Sequence, residues 1–205
     1  MGEDAPKAAE GQILEEDAAR ANLYALVGRL FYDAPDAIFL AEICREAQGS
    51  EVTEGPLAEA WRALRDAGKT AFPVVLKQEY DTLFVGVGRA EVTPYTSHYV
   101  PGAADHHLVR LREQLAAWGL ARRGNAFEME DHVSGVIDVM RFLIEEQHPL
   151  ADQQRFFESF VYPGTIPFFA AVRQTPSADF YKPVAAFAQA FLEVEKAAFD
   201  MGDLV

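Results

Sequence analysis

Val133, Val136, Ile137, Met140, Leu143 and Ile144 recur at intervals of three and four residues. On an α-helix that spacing draws one apolar stripe, whereas on a strand it would scatter the same side chains over both faces. The pattern returns along most of the chain. Leu23, Leu26, Val27, Leu30 and Phe31 mark an earlier helix that begins near Glu15 and is ended by Pro35. Phe39, Leu40, Ile43 and Cys44 mark a short second helix, and Leu57, Trp61 and Leu64 a third that closes near Gly68. A fourth is expected over about 69–84, with Pro73 in its first turn and Gly86 as its stop. Residues 86–102 carry glycines, prolines and interleaved aromatics and read as an ordered loop. Leu108, Leu111, Leu115 and Trp118 follow on a helix for which Asp105 suits the N-cap.

The regular stripe beginning at Val133 is opened by Asp131 and runs to Pro149. Helical stretches over about 151–161 and 166–173 come next, separated by Pro163-Gly164, and a last helix covers about 178–201. Alternation of strand length is absent, as is any internal repeat. The expected fold is all-α, a bundle of about eight or more helices. It should form a single domain over 1–205, with residues 1–12 disordered and two subdomains joined by a hinge near 123–130.

Charge narrows the partners. Eighteen Lys and Arg against 32 Asp and Glu leave a net charge of −14. Such a surface repels nucleic acid and anionic lipid and attracts basic peptides. Fifteen Phe and seven Tyr supply a packed interior, which argues against a disordered chain. Cys44 is the single cysteine, so neither an internal disulfide nor a cysteine-based zinc site is expected. No apolar run approaches the ~20 residues of a membrane span. Residues 1–21 lack the apolar core of an export signal. The expected location is the cytoplasm, without stable membrane insertion.

The chemistry of the usual sites is thin. Gly86-Val87-Gly88 starts like a phosphate loop, but Glu91 stands where a third glycine would be, and a carboxylate there repels phosphate. His98, His106, His107, His132 and His148 include no pair spaced four apart on one helix face, so no metal site is expected. Glu128, Glu130, Asp131 and His132 gather ahead of the long helix. They admit a metal- or carboxylate-dependent hydrolase using Asp131 and His132. They equally admit a helix start in which Asp131 caps the free N–H groups.

Two segments bear on that choice. One is Glu79-Tyr80-Asp81-Thr82-Leu83-Phe84-Val85-Gly86, followed by Pro94-Tyr95-Thr96-Ser97-His98-Tyr99. The other is Glu128-Met129-Glu130-Asp131-His132, leading into Val133. In this order they resemble the signature of the TorD/DmsD family of redox-enzyme maturation chaperones, which are related to NarJ-type proteins. Met129 replaces the usual hinge proline, and Thr93-Pro94 stands where a double proline is frequent.

The resemblance implies a non-enzymatic helical chaperone without cofactors. Its partners would be the twin-arginine signal peptide and the catalytic subunit of a molybdoenzyme of the DMSO reductase superfamily, and its state a monomer or domain-swapped dimer. By position, Leu83 and Phe84 would line an apolar trough, with Tyr80 beside them. Tyr95, Ser97 and Tyr99 would shape its wall, and Asp131 and His132 would sit at the hinge. Glu79, Glu128 and Asp131 would supply carboxylates for guanidinium groups. A protein-interaction adaptor with no signal-peptide role is the other non-enzymatic reading.

Overall fold

The computed structural model describes residues 14–45, 54–86, 89–100, 104–120 and 129–202. The expected disorder of residues 1–12 and most of the expected hinge lie outside them. The described chain is all-helical, and its nine α-helices join into eight continuous rods. They are α1 (Glu15–Tyr32), α2 (Ala37–Cys44), α3 (Pro56–Thr70), α4 (Pro73–Tyr80), α5 (Ala104–Ala117), α6 (Val133–Glu145), α7 (Leu150–Phe156), α8 (Tyr162–Gln174) and α9 (Tyr181–Gly202). A π-helical turn, Asp81–Val85, extends α4, another, Phe157–Val161, fuses α7 to α8, and Thr96–Tyr99 forms a 3₁₀ turn.

Local rules account for most boundaries. Asp36 caps α2, its Oδ1 accepting the Phe39 N–H at 2.7 Å. The break between α3 and α4 falls at Ala71-Phe72, not at Gly68. Phe72 precedes Pro73 and is held extended (φ −115°, ψ 126°), while Pro73 itself starts α4, where its missing N–H does no harm. Gly68 stays helical and buried, because its lack of a side chain lets Cys44 Sγ approach within 3.0 Å of where a Cβ would stand.

Pro163-Gly164 does not break the helix as expected. The wide π-turn lies directly ahead of Pro163 and absorbs the hydrogen bond the proline cannot make, so the rod continues from Leu150 to Gln174.

One hydrophobic cluster runs from α1 to α9. Helix α1 packs most extensively on α6, and α9 lies against α8 and α3. At the centre Phe31 meets Phe84, Phe168 and Phe169, with ring centroids 5.3–6.0 Å apart. A buried polar link ties the ends of the chain together. Arg20 reaches the nearly buried Glu195 through Nε at 3.0 Å and a terminal nitrogen at 2.9 Å, and the Tyr24 hydroxyl donates to the same carboxylate at 3.0 Å. Burial beside that carboxylate pushes the Tyr24 hydroxyl pKa well above its ordinary value.

Candidate functional site

The two segments singled out in the sequence meet in space. Strand-like pairing carries the chain of residues 94–96 across the start of α6. The Thr96 N–H donates to the Asp131 carbonyl at 2.8 Å, the Val133 N–H to the Pro94 carbonyl at 2.8 Å, and Tyr95 pairs with His132 in an isolated antiparallel bridge. The Thr96 hydroxyl adds a second bond to the Asp131 carbonyl at 3.1 Å. Below this staple lies Gly164 of α8. A Cβ there would stand 2.5 Å from Thr96 Cβ and 2.7 Å from its carbonyl oxygen, so only glycine lets the loop sit so close.

Asp131 is fully buried. Its Oδ2 accepts the Ser97 hydroxyl and, at 3.4 Å, the Ser97 N–H. Its Oδ1 accepts no hydrogen bond. The expectation that Asp131 caps α6 is corrected: His132 is the N-cap, its Nδ1 accepting the Ser134 N–H at 3.3 Å and meeting the Ser134 hydroxyl at 2.7 Å. The position nearer the helix wins because Asp131 is turned inward to the loop. Tyr95 packs edge-on against the His132 ring at 5.6 Å.

The remaining candidates divide between core and rim. Tyr80 is buried and its hydroxyl donates to the Tyr32 and Phe31 carbonyls, at 2.8 and 3.2 Å. Leu83 and Phe84 are buried, Phe84 against Phe168 at 5.9 Å. Tyr99 is half-buried, rests on the same Phe168 at 5.8 Å and donates its hydroxyl to the Thr93 carbonyl at 3.0 Å. Burial pushes the pKa of that hydroxyl up to about 12.

Glu79 serves a distant helix. Its carboxylate accepts the N–H groups of Asp179, Phe180 and Tyr181, at 2.8, 3.2 and 2.9 Å, and so caps α9 from across the molecule. Glu128 lies outside the described residues. Glu130 pairs with Arg112 of α5 at 3.0 Å.

His107 was not singled out for this site. It projects from α5 into the same region, nearly buried, its ring 5.5 Å from Phe160 and its Nε2 without a hydrogen-bond partner. Burial lowers its pKa, the Asp131 carboxylate opposes that shift, and Arg110 adds to it. No sequence motif marks it, since its neighbour His106 is exposed and looks the same in the sequence. The site therefore offers apolar and hydrogen-bonding surface around a stapled loop, with Tyr95, Ser97 and Tyr99 half-buried at its rim. Among the described residues its one hydroxyl–imidazole contact, Ser134 with His132 Nδ1 at 2.7 Å, is buried at the start of α6.

The same fold occurs in a protein assigned to the maturation of redox enzymes. The crystal structure of that protein, a redox enzyme maturation protein by assignment, from Archaeoglobus fulgidus, matches with a TM-score of 0.55 and 22% identity over 93% of this chain and 99% of that one. No curated protein matches the sequence significantly. The family model described as nitrate reductase delta subunit matches residues 51–163, more than half of the chain. The chain belongs to that family.

Proposed function

We propose that this protein is a cytoplasmic maturation chaperone for a molybdopterin oxidoreductase, of the TorD/DmsD kind. In this reading it binds the twin-arginine signal peptide of the catalytic subunit and delays export while the cofactor is inserted. The observation that carries the reading is the staple between the loop 94–99 and Asp131–Val133. Both segments of the family-like signature are joined in one buried staple that holds Tyr95, Ser97 and Tyr99 half-exposed at its rim, as a binding role requires and a chance match does not. The family match and the fold likeness point the same way.

Within this reading the nine candidate residues other than Glu128 have different roles. Tyr95, Ser97 and Tyr99 face the peptide, while Asp131 and His132 position the loop from beneath. Tyr80, Leu83 and Phe84 support it as core, and Glu79 anchors α9 beside it. A hydrolase built on Asp131 and His132 fits less well. The Asp131 carboxylate is sealed from solvent, and the His132 Nδ1 is engaged with Ser134.

The test is capture of a molybdoenzyme precursor by the full chain, compared with the same subunit lacking its signal peptide. Capture of the precursor alone is expected. Equal capture of both forms would make the protein an adaptor for the folded subunit, and capture of neither would remove the proposal.

A further inference from the structure

The rod formed by α4 and its π-turn buries Leu76, Tyr80, Leu83 and Phe84 and leaves Val74, Val75 and Val85 exposed to water. Val74 is 71% exposed and Val85 60%. Between them, at three- and four-residue steps, stand Lys77 and Asp81. The end of α1 lies alongside, because the Tyr80 hydroxyl is bonded to the Tyr32 carbonyl. Tyr32 itself is 69% exposed there, and Asp33 follows it. Single exposed apolar residues need no explanation. Here they flank a charged centre of unequal sign. The ammonium of Lys77 bonds to Asp81 and lies 3.9 Å from Asp33, so two exposed carboxylates share one cation.

We infer that this outer face of α4, with Tyr32 and Asp33, receives the paired basic residues of the client peptide as a contact separate from the loop 94–99, and that Lys77 occupies the seat of an incoming guanidinium. The inference rests on the peptide-binding function proposed above.

Three physical points support it. A guanidinium presents five donors in a plane and can bond to both carboxylates at once, whereas an ammonium acts as a point charge. Exposed lysine pairs contribute little net stability in water, so Lys77 is displaced at little cost. The net charge of −14 draws a cationic segment toward the protein, and Tyr32, Val74 and Val85 then offer apolar contact on either side of the charges.

The experiment is calorimetric titration of the full chain with a synthetic peptide carrying two adjacent arginines and an apolar segment. Every side chain changed is exposed, and melting curves confirm that each variant folds. Asp33→Asn with Asp81→Asn should weaken binding about tenfold or more, as loss of two charge-assisted contacts implies. Val74→Ser with Val85→Ser should also weaken it. Lys77→Ala should strengthen it, because both carboxylates lose the cation they share.

Wild-type affinity in the double Asp variant overturns the surface. Unchanged or weaker binding by Lys77→Ala overturns the role of the lysine. If the wild-type protein binds the peptide and all variants match it, this inference falls while the proposed function stands. If the wild-type protein binds no peptide, both fall.

Discussion

Ser97 gives both its hydroxyl and its backbone N–H to one oxygen of a single buried carboxylate, Oδ2 of Asp131. The link joins residues 34 positions apart and holds the rim of the candidate site onto the start of α6. A hydroxyl bonded to a buried charge is among the stronger neutral donors a fold can use.

Ser97→Ala is therefore expected to destabilise the fold by about 1.5–3 kcal/mol, the range for hydrogen bonds to charged groups. In a chain of this length that lowers the thermal midpoint by several degrees. Denaturant unfolding measures it directly. A loss below about 0.5 kcal/mol, the usual scatter of surface changes, would mean that the backbone pairs of Thr96 and Val133 hold the loop without help.

Gly164 gives a second test, with a built-in control. An alanine there gains helix propensity of about 1 kcal/mol but drives a methyl group into Thr96, 2.5 Å from its Cβ and 2.7–3.0 Å from its backbone. Backbone yields less readily than a flexible side chain, so Gly164→Ala should be destabilising by about 1–3 kcal/mol. Gly28 in α1 is the control. A Cβ there meets Ile137 at 3.5 Å, an ordinary contact, and Gly28→Ala should be neutral or stabilising by up to about 1 kcal/mol. If both variants behave alike, the close approach of loop and α8 is not what limits position 164.

His107 predicts a pH dependence. Its folded pKa lies below the ordinary value of 6.5, first because of burial and then because of Arg110, against the pull of Asp131. The unfolded chain then binds the proton more readily than the folded one. The stability that His107 contributes is complete above pH 6.5 and is lost as the pH falls from there through its folded pKa. His107→Gln should flatten the stability profile just below pH 6.5 relative to wild type. Asp131→Asn removes the attraction and should lower the His107 pKa further, read from the imidazole signal in an NMR titration. An unmoved signal would show that the two side chains do not interact.

The helices were legible because helix periodicity is a local property. The stripe from Val133 to Ile144 is buried as its spacing requires, and Pro73 and Gly86 bound the fourth rod as their backbone preferences dictate. Gly86 takes φ +64°, and a Cβ there would collide with the Arg89 carbonyl at 2.2 Å. The order of the two signature segments, and the class of protein they resemble, could also be read directly from the chain.

Which job each residue performs was decided by partners that sequence neighbours do not reveal. Asp131 stands where an N-cap is common, yet its side chain turns inward to Ser97 and His132 takes the cap. Glu79 looks like a free carboxylate until α9, about 100 residues later, brings three N–H groups to it. Pro163-Gly164 reads as a break, but the π-turn before it keeps the rod continuous, and Gly164 is spent on contact with Thr96. His106 and His107 differ only in which way the α5 surface faces, and packing alone brought one of them into the site. Backbone propensity acts over one or two turns, and the sequence carries it openly. Charge pairing, distant capping and close approach act between segments that only the folded chain brings together.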